Sequence, residues 1–322
     1  MKRYAFSLLL LICLACSDDD PAGPRVQTST PKADADLGGA GLYASRCALC
    51  HGDKGQGYAA DAANALANET FLASASDEFL LRSIERGRPG TSMSAWGESR
   101  GGPLDRAQLA QIVEHLRSLT TEPAIDVSGD QVSGSALRAA SYYQVKCKMC
   151  HGEKGVGGLY ASIANPEFLS QASDGFLRYA IREGRPGTPM LAFAGQLPDS
   201  IIDDMVVLIR SWQMQPTDSM VDAPEWPSDG AILHPNGPEP SFPDGRYVKM
   251  EALHAALESG ARVLLADART PSDYVTMHIQ GAVNVPFYEP DKYLDKLPKD
   301  VTIVAYCGCP HAASGALVDA LT

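Results

Sequence analysis

Two cysteines separated by two residues and followed directly by a histidine occur twice in this chain. They are Cys47, Cys50 and His51 in C-A-L-C-H-G, and Cys147, Cys150 and His151 in C-K-M-C-H-G. One such run alone could be a redox dithiol, part of a zinc site or a haem-attachment turn. In haem attachment the two thiols add to the porphyrin vinyl groups and the adjacent imidazole reaches the iron. That chemistry needs all three groups on one turn beneath one edge of the ring. A third cluster, A-Y-C-G-C-P-H at 305–311, has the wrong spacing for haem. Cys307, Cys309 and His311 there leave open a zinc or copper site, with no evident fourth ligand, or a nucleophile.

The first two runs belong to a longer repeat, which favours haem over chance. D-E-F-L-L-R-S-I-E-R-G-R-P-G-T-S-M-S-A-W (77–96) matches D-G-F-L-R-Y-A-I-R-E-G-R-P-G-T-P-M-L-A-F (174–193) at 11 of 20 positions. The offset is 100 residues at the cysteines and 97 here, so the difference falls in an intervening loop. Each copy opens on a helical segment just before its first cysteine (38–46 and 136–146). Each closes on an amphipathic one: Leu109, Ile112, Val113, Leu116 and Leu119 recur at helical spacing, as do Ile201, Ile202, Met205, Leu208, Ile209 and Trp212. Units of roughly 80 residues have small cores and usually need a staple, which a covalent haem would supply.

Between residues 38 and 121 the only methionine is Met93, in the loop G-R-P-G-T-S-M. The repeat places Met190 equivalently. These are the expected second axial ligands of the iron, opposite His51 and His151. Met149 lies inside its own attachment turn, and Met205 reads as packing. His115, a rival in the first unit, has no counterpart in the second.

On C-x-x-C-H-G, on Tyr43 and Tyr143 four residues before each first cysteine, and on the methionine loop, the chain resembles class I cytochromes c twice over, at 38–121 and 134–215. The resemblance covers about half the sequence. It implies two all-α domains, two covalently bound haem c groups and electron transfer with both axial positions filled. Ser94 and Leu191 stand where a proline often follows the ligand methionine.

The first 16 residues carry Lys2 and Arg3, then a mostly apolar run from Phe6 to Ala15, too short for a permanent membrane anchor. The ending C-L-A-C resembles a bacterial lipoprotein signal, with Cys16 as the lipidated residue and Cys13 where leucine is usual. An ordinary cleaved signal peptide is the alternative; either exports the chain. A polar tether at 17–37 follows. The expected location is the bacterial cell envelope, lipid-anchored on the periplasmic side or at the outer-membrane surface. A formal charge of −12 argues against nucleic acid as a partner. Hydrophobic residues make up 45% and charged residues 20%, as in globular chains.

Residues 216–244 carry seven prolines and read as a semi-rigid linker with a solvated His234. Beyond it, apolar strands at 263–268, 282–286 and 302–306 alternate with helical segments at 271–279 and after residue 311, implying a parallel sheet. Asp267, Ala268, Arg269, Tyr274, His278, Ile279, Gly281, Ala282, Asn284 and Pro286 make this stretch resemble a rhodanese domain. The resemblance implies an α/β fold at 245–322 with Cys307, directly after Tyr306, as the cysteine that carries sulfane sulfur. Asp273 and Met277 replace the family's usual Glu and Gly. Ala312 stands where the loop usually has Arg, and Pro310 removes one loop N–H. Weaker anion binding is expected. Cys309 could resolve a persulfide or sulfenate on Cys307. The resemblance implies a further strand and helix, whereas the sequence stops one helix after the loop: either the sequence is clipped or the domain is incomplete.

The whole reads as a multidomain chain: two small all-α cytochrome c domains, then an α/β rhodanese-like domain. The expected function is electron transfer with redox proteins of the envelope, beside a module that handles small sulfur compounds. Two alternatives are a sulfur dehydrogenase feeding the haems through Cys307 and a non-catalytic docking or redox-sensing module.

Overall fold

The computed structural model describes residues 10–13, 37–59, 63–216, 225–227, 230–242, 246–308 and 312–322. Cys16, Cys309, Pro310, His311 and nearly all of the tether lie outside the described residues. The chain divides into two units. One comprises Leu37–Glu98 and Pro103–Ser219; the other comprises Met1–Asp36, Ser99–Gly102 and Met220–Thr322.

The first unit holds both copies of the repeat. The first copy runs α1 (Gly39–Arg46), α2 (Ala48–His51), α3 (Glu69–Ser74), α4 (Asp77–Arg86) and α5 (Arg106–Ser118). The second runs α6 (Ala136–Lys146), α7 (Lys148–His151), α8 (Pro166–Gln171), α9 (Asp174–Glu183) and α10 (Asp199–Arg210). The opening and closing helices coincide with the segments that periodicity marks. Leu42 and Tyr43 of α1 are buried where it packs on the apolar face of α5, formed by Leu109, Ile112, Val113 and Leu116. The crossing is close: a Cβ on Gly39 would lie 2.0 Å from the Gln111 carbonyl oxygen. A capping box of Asp105 and Gln108 starts α5. In the second copy α6 packs on α10, tied by the buried Asp204 carboxylate, which accepts from Arg138 and from the Ser135 N–H.

The short helices between them are new to the sequence reading, although their capping signals are present. Asn68, Ser76, Asn165 and Ser173 each cap the next helix by accepting a backbone N–H with the side chain. Gly87 and Gly184 end α4 and α9 with φ of 61°. At Gly87 a Cβ would stand 2.5 Å from the Ser94 carbonyl carbon, so the methionine loop folds directly back on the helix end.

These short helices join the two copies through a pseudo-twofold seam. α3 packs on α9 and α4 on α8. The Asn68 side chain donates to the Pro186 carbonyl at 2.9 Å, and Asn165, its repeat equivalent, donates to the Pro89 carbonyl at 2.9 Å. Phe79 and Phe176, also equivalent, meet with ring centroids 4.7 Å apart, flanked by Phe71 and Phe168. A bidentate pair of Arg86 with Glu167 closes one side. At the place equivalent to Glu167 the first copy has Thr70, which donates to the Gly184 carbonyl.

The second unit is built on a sheet of β1 (Leu10–Cys13), β2 (Ile232–Leu233), β3 (Val263–Asp267), β4 (Val283–Asn284) and β5 (Thr302–Cys307). Its order is β1-β5-β3-β2, with β4 pairing β3 off that path. All pairings are parallel except β2 with β3. Helices α11 (Met250–Glu258), α12 (Pro271–Thr276) and α13 (Ala312–Leu321) accompany it. Every residue of β3 and β5 is buried, because apolar clusters cover the sheet on both faces. That explains the unbroken apolar runs.

Two features differ from the sequence reading. Ile232–Leu233, inside the stretch read as linker, is a strand on β3, and Trp226 and Ala231 join the core. Two residues are too few to display a period of two among prolines. Leu10–Cys13, from the apolar run read as an export signal, pairs with β5 in parallel. An apolar segment with free backbone groups can satisfy an open sheet edge. Among the described residues no helix is long and apolar enough to cross a membrane.

Candidate functional site

In both copies the attachment residues share one turn. The His51 and His151 N–H groups donate to the Cys47 and Cys147 carbonyls at 2.9 Å. The Tyr43 hydroxyl donates to the Gly52 carbonyl at 2.8 Å, and Tyr143 donates to Gly152 at 2.7 Å. These bonds give the two tyrosines a role that spacing alone does not: each fastens the opening helix to the end of the turn. Gly52 and Gly152 take φ of 80° and 75°, so the chain reverses there.

Each imidazole is held by its outer nitrogen. His51 Nδ1 lies 2.8 Å from the Asn64 carbonyl oxygen, and His151 Nδ1 lies 2.9 Å from that of Ala161. An N–H donated there fixes the tautomer and leaves the Nε2 lone pair free for a metal. Burial holds His51 below its ordinary pKa, which favours the neutral ligand form. Among the described residues none of these cysteines forms a disulfide. Burial pushes Cys47 up to about 12 and Cys147 to about 11. Two thiols and a preoriented imidazole on one turn are the donor set that covalent haem requires.

Met93 and Met190 occupy matching loops. The Arg88 N–H donates to the Met93 carbonyl and Arg185 to Met190, both at 2.8 Å. Their own N–H groups donate to Thr91 and Thr188 hydroxyls at 3.2 Å. The rivals lie elsewhere. Met149 is 77% exposed and Met205 is buried in the closing helix. The His115 ring packs on Tyr43, with centroids 5.1 Å apart between the opening and closing helices.

Arg88 and Arg185, in the same two loops, escaped the sequence reading. Burial pushes each guanidinium down to about 10, so both stay charged at neutral pH. Identity across the repeat in G-R-P-G-T was the available signal.

In the second unit Cys307 ends β5 and is 2% exposed. Its Sγ lies 3.2 Å from the hydroxyl of Ser314, which is fully buried on α13. Ser314 is a second residue that sequence reading missed. The other motif residues buttress this strand end. Arg269 pairs with the buried Asp267 carboxylate and lies 5.9 Å over the Tyr306 ring. The Tyr306 hydroxyl accepts from the Ile279 N–H at 3.0 Å. Asn284 donates to the Asp267 and Arg269 carbonyls, and the Tyr274 hydroxyl to that of Ala282. His278 is stacked on Tyr274 at 3.9 Å. Through these bonds the residues hold the turns around the strand end together. Cys309, Pro310 and His311, with the metal and resolving-thiol readings that rest on them, lie outside the described residues.

Residues 34–116 and 134–209 match the family of cytochrome c oxidase, cbb3-type, subunit III, and residues 249–322 match the rhodanese-like domain. A Cbb3-type cytochrome c oxidase subunit CcoP from Azospirillum sp. (strain B510) is 28% identical over 192 residues. That alignment takes in 54% of this chain and 61% of the relative. A dihydro-heme d1 dehydrogenase from Pseudomonas aeruginosa is 34% identical over 150 residues, 44% of this chain and 29% of that protein. A chain from a reducing HAO-like protein complex of Kuenenia stuttgartiensis has 22% identity and a TM-score of 0.37, over 55% of this chain and 96% of the other.

Proposed function

From a chain that carries two tandem cytochrome c domains and then a rhodanese-like domain, we propose a dihaem electron-transfer protein of the bacterial cell envelope with a sulfur-handling module. One observation carries the reading. In both copies a turn with two thiols ends on an imidazole whose Nδ1 rests on a backbone carbonyl, at 2.8 and 2.9 Å. Cys47 and Cys50, and Cys147 and Cys150, would hold the haems covalently, and His51 with Met93, and His151 with Met190, would hold the iron. Bound haem supplies a one-electron iron couple, and a His/Met pair raises its potential by favouring the ferrous state. With two protein ligands on each iron, the haems would exchange electrons with redox proteins and take no substrate at the metal.

In this reading the signal is cleaved before Cys16, so that Leu10–Cys13 pairs with β5 only in the unprocessed chain, and lipidation of Cys16 anchors the mature protein to the membrane. A Cys16→Ala variant is expected to leave the membrane fraction for the soluble one; retention there defeats the anchor. Cys307 is the proposed carrier of a sulfane sulfur. Because it is buried, a sulfur donor reaches it only when what covers it gives way.

The fusion of a strand-end cysteine to two electron-transfer domains favours a second reading, in which oxidation of sulfur at Cys307 feeds the haems. Anaerobic mixing of the oxidised holo-protein with thiosulfate or polysulfide, followed in the visible spectrum, separates the two. Haem reduction that vanishes in Cys307→Ser supports coupling. If haem stays oxidised with the sulfur donors yet is reduced readily by dithionite, the protein is a carrier alone. A holo-protein that no reductant converts between two spectral states overturns both readings.

A further inference from the structure

We propose that the rings of Tyr58 and Tyr160 carry electrons between the two haem sites, joining the side of His51 to the side of His151. The inference rests on the haem reading above and adds the route by which the two sites exchange.

Besides the phenylalanines, a pair of tyrosines joins the two copies. The Tyr58 and Tyr160 rings meet edge to face, with centroids 6.2 Å apart and planes at 89°. Each stands in the loop that follows its attachment turn, and each backbone is tied to the imidazole of that turn. In the second copy Tyr160 directly precedes Ala161, whose carbonyl holds His151 Nδ1 at 2.9 Å. The Tyr160 N–H donates to the Cys150 carbonyl at 3.0 Å. In the first copy the N–H of Gly57, directly before Tyr58, donates to the His51 carbonyl at 2.7 Å. The Tyr58 N–H donates at 2.8 Å to the carbonyl of Ala63, the neighbour of Asn64, whose own carbonyl holds His51 Nδ1 at 2.8 Å.

The two tyrosines reach this contact differently. From the imidazole to the carbonyl that holds it, the first loop runs 13 positions and the second 10. The excess accounts for the two repeat offsets, 100 and 97, and makes Ala63 rather than Tyr58 the equivalent of Tyr160. Tyr58 stands in the longer loop. There its φ is 56°, a left-handed conformation that is costly for a side chain of its size. Gly57 before it closes the loop tightly: a Cβ there would lie 2.4 Å from the Ala65 nitrogen. Tyr58 is also 41% exposed, so burial of its ring offsets little of the strain. Strain kept at a half-exposed ring points to a use for the ring where it stands.

That use is electronic coupling. Coupling falls steeply across empty space and more slowly along covalent bonds, hydrogen bonds and touching π-systems. From His51 the route runs through Gly57 or Ala63 to Tyr58, across the ring contact to Tyr160, and through one peptide to Ala161 and His151. One electron moves from the reduced site to the oxidised one; no bond forms or breaks and neither ring is oxidised.

The experiment is flash reduction of the full-length holo-protein by a photogenerated flavin radical. Covalent haem is counted first; fewer than two haems per chain defeats the underlying reading and not this one alone. Every sample carries Met190→His, which lowers the second potential and separates the two spectra, so that electrons redistribute toward the first domain after the flash. Redistribution within one molecule is first order and independent of protein concentration. Tyr160→Ala and Tyr58→Gly are each expected to slow it severalfold while both potentials stay where they were. Tyr160→Phe keeps the ring and is expected to keep the rate. Tyr58→Gly serves if Tyr160→Ala does not fold, because glycine accepts the left-handed backbone. The ring contact has its own readout: the losses of stability in Tyr58→Ala and Tyr160→Ala are expected to be non-additive in a double-mutant cycle, and additive losses would overturn the contact. Unchanged rates in Tyr160→Ala and Tyr58→Gly would overturn the route and leave the pair as packing. A rate slowed as much in Tyr160→Phe as in Tyr160→Ala would overturn conduction through the ring.

Discussion

Replacing Cys147 and Cys150 together by serine is expected to cut covalent haem from two per chain to one, read by the pyridine haemochrome spectrum of the denatured protein. The physical argument is local. Both thiols, the imidazole and the Tyr143 hydroxyl are fastened to one turn, and serine cannot form the thioether. A stability effect should accompany the loss. The second domain buries few large side chains of its own, chiefly Tyr143, Leu169, Phe176, Leu177, Ile202, Met205 and Ile209. A core of that size is marginal without a staple. The seam spreads the damage. Phe79 packs on Phe168 and Phe176, so unfolding of the second domain exposes apolar surface of the first, at about 25 cal/mol per Å². The melting transition of the remaining haem domain should therefore also move down. Met190→Ala provides the contrast: covalent haem is retained, while the potential falls because the ferrous-favouring thioether ligand is gone. Two covalent haems persisting in the double-serine protein would end the attachment reading.

Cys307→Ser is expected to reduce thiocyanate release to background when the protein is loaded with a sulfane sulfur donor and treated with cyanide. Serine has no thiolate to accept sulfur, and in the proposed holo-protein the four attachment cysteines are thioethers. Cys309→Ser should keep single-turnover release if Cys307 is the carrier. The Ser314 hydroxyl, 3.2 Å from Sγ, is placed to donate to the thiolate. Removing one hydrogen bond of about 1 kcal/mol should slow loading at neutral pH about fivefold in Ser314→Ala. Equal release from wild type and Cys307→Ser would leave this domain as a docking module.

The architecture was legible to the extent that local signals reach. The two C-x-x-C-H turns, the repeat, the helices that open and close each copy, and the central strands β3 and β5 follow from spacing and periodicity. The helices α3, α4, α8 and α9 could have been found too, since Asn and Ser caps and terminal glycines mark their ends. β2 could not, because two apolar residues among prolines have no period.

The sequence by itself determined which residues are proposed to carry chemistry: thiols and imidazoles at fixed spacing on one turn, a methionine in each repeated loop and a cysteine at a strand end. Covalent connectivity fixes those groups within a few ångströms whatever the rest of the chain does. Only the tertiary structure decided what lies between the two domains. Phe71, Phe79, Phe168 and Phe176 are plain apolar residues in the sequence, and a hydrophobic side chain does not name its partner. The same rings could have closed two separate cores. Folding instead placed them on one pseudo-twofold seam, with Arg88 and Arg185 inserted among them. Packing of groups nearly a hundred residues apart depends on the shape of whole surfaces, which no local pattern encodes.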